Sequence, residues 1–146
     1  MSFITYNYDR SLETYLGTAL QATYGASMEN IAKQLLRIRI IHLHGKMGNL
    51  PFEGGQSRSY SAELTEEDMR IGYCGIKIIH ESIDKEPQFE QAHEVLSEAQ
   101  MVCFLGFGYH ETNINRLRLS KLTGSGILRN NLRNGRCRGT GASELV

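Results

Sequence analysis

The chain has 146 residues, with 16 Lys+Arg against 16 Asp+Glu and a formal net charge of zero. That balance excludes a strong overall field for drawing in nucleic acid or an anionic membrane. Hydrophobic residues at 40% and charged residues at 22% exclude a disordered chain, and no apolar run nears the ~18 residues of a membrane span.

Phe3 to Tyr6 reads as a short strand, aromatic and β-branched in turn, that stops at Asn7-Tyr8-Asp9. Asp9 is placed to cap a helix, with Glu13 near its first turn. Leu12, Tyr15, Leu16 and Ala19 form the apolar stripe of that helix, Gly17 weakens it, and Gly25 ends it. Ser27 to Leu36 reads as a second helix capped by Ser27. Arg37 to His44 is the second strand, passing from alternating to nearly all apolar, and it runs into Gly45.

Residues 51 to 60 read as loop, and Thr65-x-x-Asp68 as a capping box that opens a helix. Ile71 to Ile79 fits either helix or strand. Glu86 to Ala99 is helical, with Phe89, Ala92, Val95, Leu96 and Ala99 on one face. Met101 to Leu105 is a third strand, expected to be buried, that enters Gly106-Phe107-Gly108. A helix follows, with its cap expected near Thr112 and with Ile114, Leu117 and Leu119 as apolar positions. The last 25 residues are basic and glycine-rich. They lack the interleaved aromatics of a single-strand nucleic-acid site, so a solvated surface is the expectation.

Strands alternating with helices predict an α/β protein with a mostly parallel, partial Rossmann-like sheet and flanking helices, in one domain over residues 1–146. In such sheets ligands bind beyond the carboxyl ends of the strands. Asn7 and Asp9, then His44 and Gly45, then Gly106 and Gly108 all fall there. Asn7 offers a donor and an acceptor without charge, and turn or cap roles are the competing reading for it and Asp9. His44, before a glycine at a strand end, is placed for general-base work at neutral pH. Gly106-x-Gly108 has the shape of a nucleotide-binding turn but lacks the third glycine of the dinucleotide fingerprint.

His42-x-His44 puts two imidazoles on one side of a strand, as in metal-dependent hydrolases. His80, His93, Glu94 and Asp9 complete no familiar ligand spacing, so no metal is expected and His42 reads as a histidine satisfied inside the sheet. Cys74, Cys103 and Cys137 form no C-x-x-C pair, and reduced thiols in a cytoplasmic protein are expected.

Three segments, Phe3-Ile-Thr-Tyr-Asn-Tyr-Asp-Arg-Ser-Leu-Glu13, Ile41-His-Leu-His-Gly-Lys-Met-Gly-Asn-Leu-Pro51 and Ala99-Gln-Met-Val-Cys-Phe-Leu-Gly-Phe-Gly-Tyr-His110, resemble the sirtuin-like domain of bacterial proteins, in the family's order. Many members of that branch are NAD-consuming enzymes of anti-phage defence. The resemblance implies NAD as substrate, cleaved at the nicotinamide–ribose bond. It implies Asn7 and His44 as catalytic residues, with Asp9, Gly45, Gly106, Phe107 and Gly108 against the nucleotide. It also implies that Arg138-Gly-Thr140 begins the family's last strand.

The chain departs from the family in two ways. It lacks the four-cysteine zinc module of the deacetylases, which favours NAD cleavage over acyl-lysine removal. The family's first strand and glycine-rich phosphate loop have no counterpart before Phe3. By the resemblance the chain is therefore a piece of the domain, incomplete at its N-terminus and with its C-terminal end open to the same reading, and inactivity of this piece alone is an alternative. Further alternatives are a non-catalytic interaction module, a deacylase and a His-x-His metal hydrolase. The expected partners are NAD or a related nucleotide, not nucleic acid or a membrane. A second copy or the missing N-terminal segment is left open.

Overall fold

A computed structural model describes residues 1–58, 63–77, 86–122, 126–131 and 136–140. Two compact units divide the chain, residues 1–81 and 82–146, and each is described by itself.

The first unit is built on two parallel strands, β1 (Ser2–Thr5) and β2 (Arg39–His42), in the register Ser2↔Arg39, Phe3↔Ile40, Ile4↔Ile41 and Thr5↔His42. Parallel neighbours need a crossover. Here it carries two helices, α1 (Ser11–Tyr24) and α2 (Met28–Leu35). The cap position of α1 falls to Arg10, which makes no side-chain capping bond, rather than to Asp9. Asp9, one residue earlier, accepts the Ser11 N–H at 2.9 Å, and Gly25 ends the helix in the left-handed conformation at φ 59°. Ser27 caps α2 by accepting the Asn30 N–H at 3.4 Å.

Of the expected apolar stripe of α1, Leu12, Leu16 and Ala19 are half-buried, and Tyr15 departs from it. Tyr15 is 72% exposed, and the buried positions are Glu13 and Gly17. The reason is the packing of α2. A Cβ on Gly17 would lie 3.4 Å from Leu35 and 3.9 Å from Ile31, so the side-chain-free position receives the two buried side chains of α2. The core of the unit adds Ile41, Leu43, Leu50 and Ile71.

Within residues 51–60, expected as loop, Pro51–Glu53 forms a turn of 3-10 helix. Beyond it α3 spans Glu66–Gly75. Its capping box is formed in both directions, with Thr65 Oγ1 accepting from the Asp68 N–H at 3.1 Å and Asp68 from the Thr65 N–H at 3.0 Å. The helix runs through the ambiguous stretch as far as Gly75, and residues 78–80 lie outside the described ones.

The second unit holds α4 (Pro87–Glu98), β3 (Met101–Phe104), α5 (Glu111–Arg116), a 3-10 turn (Leu119–Lys121), β4 (Gly126–Asn131) and β5 (Arg136–Thr140). α4 buries Phe89, Ala92 and Leu96, as its spacing predicts. β3 pairs parallel with β4, and β4 antiparallel with β5. The Arg138-Gly-Thr140 segment lies in β5, while Gly124, Arg133, Gly135 and Gly141 lie outside the described residues.

Three expectations change here. The described strands form a two-stranded and a three-stranded sheet rather than one, and the last pairing is antiparallel. β3 is not buried throughout: its burial alternates, with Met101 66% exposed, and Cys103 is an exposed free thiol like Cys74. An apolar run alone does not say how many faces a strand has covered. Finally, α5 begins one residue before Thr112, with His110 at the cap position and no side-chain capping bond. Among the described residues no helix is long and apolar enough to cross a membrane.

Candidate functional site

Two backbones reach the same edge of the first unit. Thr5 and His42 are register partners, so Asn7 and His44 each lie two residues beyond the carboxyl end of adjacent parallel strands. The pairing continues past β1, with the Leu43 N–H donating to the Thr5 carbonyl at 2.9 Å. Parallel pairing with equal overhangs is what carries the two motifs to one rim.

Asn7 is held by its main chain on both sides. Its N–H donates to Thr5 Oγ1 at 3.0 Å, and its carbonyl accepts from His42 Nδ1 at 2.7 Å. The residue is exposed, and among the described residues its side-chain amide has no hydrogen-bond partner.

His44 is half-buried beside Tyr6, with ring centroids 5.5 Å apart at 52°. Its carbonyl accepts from the Lys77 N–H at 2.9 Å. The following Gly45 has φ 78°, and the Lys46 N–H donates to the Gly75 carbonyl at 3.0 Å. A Cβ on Gly45 would collide with the Gly75 carbonyl oxygen, and one on Gly75 with the Lys46 carbonyl oxygen. The glycine of the His-Gly pair is thus required by the end of α3 crossing behind it, a reason independent of any ligand.

Below this rim lies a buried polar network that sequence reasoning did not assemble. His42 Nε2 meets Glu13 Oε1 at 2.8 Å, and Arg10 Nε donates to the same oxygen at 2.9 Å. Arg10 Nη1 also reaches the Gly48 carbonyl at 2.7 Å and Glu53 Oε2 at 2.8 Å. Lys46 Nζ donates to Glu53 Oε1 at 3.1 Å, and the Leu50 N–H to Glu53 Oε2 at 2.6 Å. Arg10, Glu13 and His42 are 3%, 5% and 6% exposed. The signal in the sequence was His42, read as a histidine satisfied inside the sheet; its partners Glu13 and Arg10 carried none.

Electrostatics follow the geometry. Burial pushes Glu53 up, but hydrogen bonds from Arg10, the Leu50 N–H and Lys46 outweigh it and hold the carboxyl at about 2. Burial likewise raises Glu13, and the His42 hydrogen bond with the Arg10 charge brings it below its ordinary 4.5. The Ser11 hydroxyl and N–H hold Asp9 below 3.8. Asp9 is therefore engaged with Ser11 in the turn that leads into α1, beside the rim.

Both ring nitrogens of His42 are committed, one to a backbone carbonyl and one to a carboxylate. His42 and His44 thus do not form a two-imidazole grip on a cation, and among the described residues no group of three or more His, Cys, Asp or Glu side chains is placed to hold a metal. His80 lies outside the described residues.

In the second unit, Gly106, Phe107 and Gly108 follow the carboxyl end of β3. Phe107 is half-buried and packs on Phe104 and Tyr109, with centroids 5.3 and 5.0 Å away. Gly106 has φ 61°, which itself favours glycine. A Cβ on Gly108 would meet nothing within 4 Å. No clash with the described protein therefore requires glycine at position 108.

A cavity of about 660 Å³ opens beside α1, α2 and the 51–53 turn, lined by Glu13, Gly17, Met28, Leu36 and Phe52 among others. Neither Asn7 nor His44 lines it.

Parallel strands with helical crossovers, and polar side chains gathered past the strand ends, define an α/β domain of the kind that takes a ligand at its carboxyl edge. The family model of the SIR2-like domain matches residues 1–126, and the chain belongs to that family. No curated protein and no solved structure matches it.

Proposed function

We propose that this SIR2-like domain binds NAD and serves hydrolysis of its nicotinamide–ribose bond. The observation that carries the reading is the equal overhang of Asn7 and His44 past the register pair Thr5↔His42. An exposed amide with a fixed main chain and a half-buried imidazole share one rim, where α/β folds take their ligands.

Breaking the nicotinamide–ribose bond develops positive charge on the sugar and needs a water or hydroxyl oriented toward it. Asn7 can hold that oxygen through its free amide, and His44 can take its proton at neutral pH. The absence of a Cβ at Gly108 leaves the backbone beside Phe107 open to a nucleotide, which supports Gly106, Phe107 and Gly108 as cofactor contacts. Membership of the SIR2-like family is the support for NAD over other nucleotides. A bacterial anti-phage setting and a cytoplasmic location belong to the same proposal.

The experiment is calorimetric titration of the protein with NAD, followed by nicotinamide release from wild type, Asn7→Ala and His44→Ala. Binding in all three, with release lost in both variants and melting temperatures unchanged, is the expected result. Unchanged release from both variants would refute the assignment, and absence of binding heat in the wild type would refute the NAD reading itself.

A further inference from the structure

We infer that His42 is a positioning residue for Asn7: a buried imidazole that ties the Asn7 main chain to the Glu13 carboxylate and so fixes where the exposed amide is presented. The inference deepens the proposed function and, for its kinetic consequence, rests on it.

The geometry dictates the protons. The Asn7 carbonyl can only accept, so at 2.7 Å the His42 Nδ1 must carry a hydrogen and donate it. The other nitrogen lies 2.8 Å from Glu13 Oε1. Glu13 is itself fixed, because the same oxygen accepts from Arg10 Nε at 2.9 Å, and Arg10 is anchored to the Gly48 carbonyl and Glu53. Among the described residues the charged groups nearest the ring are Glu13 on α1, with Arg10 behind it, and Asp9.

A chain of hydrogen bonds therefore runs from Glu53 through Arg10, Glu13 and His42 to the backbone of Asn7. Buried hydrogen-bonded pairs are directional and resist displacement where water is excluded. The Thr5 hydroxyl holds the opposite side of the same residue, at its N–H. Of the two contacts, only the one from His42 links Asn7 to the interior of the unit. A reacting group displaced by about 1 Å costs on the order of 10²-fold in rate. The loss of a positioning contact should thus fall on kcat rather than KM.

Asparagine and glutamine separate this role from a merely structural one. In His42→Asn the side-chain NH₂ stands near the place of Nδ1 and can still donate to the Asn7 carbonyl. In His42→Gln it stands near the place of Nε2 and serves Glu13 instead. We expect nicotinamide release from NAD to keep kcat within about threefold in His42→Asn and to lose on the order of 10²-fold in His42→Gln, with KM little changed in either.

A readout that needs no NAD runs beside it. The backbone amide resonances of Asn7 and Tyr8, which flank the Asn7 carbonyl, should stay sharp and dispersed in wild type and His42→Asn and average toward random-coil positions in His42→Gln. If wild type releases no nicotinamide, the NAD reading fails, and the Asn7 resonances still decide the positioning role. Equal behaviour of both variants at Asn7 would overturn the inference. So would an unprotonated Nδ1 of His42 in the ¹⁵N spectrum of the wild type at pH 7, a measurement that needs no variant to fold.

Discussion

The Arg10 guanidinium lies 2.8 Å from Glu53 Oε2, between side chains only 4% and 17% exposed, and this contact joins the start of α1 to the turn after the His-Gly motif. A buried ion pair adds little net stability over an apolar replacement, but removal of one partner strands the other charge.

Glu53→Gln is accordingly expected to destabilise the protein by about 3 kcal/mol, read by urea unfolding at pH 7. The same pair sets an acid limb. Glu53 sits at about 2 when folded against an ordinary 4.5, so its contribution is complete above 4.5 and is lost as pH falls through about 2. Stability of the wild type should decline across that window, and the Glu53→Gln variant should decline less steeply. Parallel acid limbs would show that the carboxylate is not held in this way.

The glycines separate by cause. Gly75→Ala places a methyl into the Lys46 carbonyl, and a loss of 2 kcal/mol or more is expected, of the order typical of overpacking, about 1–3 kcal/mol. Gly108→Ala meets open space and should change the melting temperature by no more than about 1 °C, of the order expected for a surface change. A drop in NAD affinity in Gly108→Ala without a change in stability is the outcome that assigns its glycine to a ligand.

Gly17 lies inside α1 with room for a methyl at ordinary contact distance from Leu35. Gly17→Ala should gain helix propensity and raise stability by about 0.5–1 kcal/mol in thermal unfolding. A destabilised variant would mean that α1 and α2 cannot give by a few tenths of an ångström.

Thr65 and Asp68 satisfy each other's backbone donors at the start of α3. Thr65→Ala should cost about 1 kcal/mol. Because α3 ends at the Gly45–Gly75 contact, amide exchange at Lys46, which donates to Gly75, should quicken in that variant. Unaltered exchange there would separate the helix start from the support of the His44 loop.

Local chemistry was enough to read several elements. Ser27 and Thr65 announce helix starts because their short side chains reach the free N–H groups of a first turn. Gly25 ends α1 because it accepts positive φ without strain. Asn7 and His44 stood out because each follows an apolar strand with a polar residue and a break. The division of the strands between two sheets was not legible, since pairing depends on contacts distant in sequence.

The sequence by itself determined that the chain alternates strand and helix and ends its first two strands in Asn-Tyr-Asp and His-Gly. Propensity, caps and turn residues act within a few positions along the chain. Only the tertiary structure decided that Glu13 faces inward while Tyr15 faces water, that Gly45 meets Gly75, and that His42 grips the main chain of Asn7. Those facts depend on which helix packs on which strand, and burial selects the partners only once the whole unit has closed.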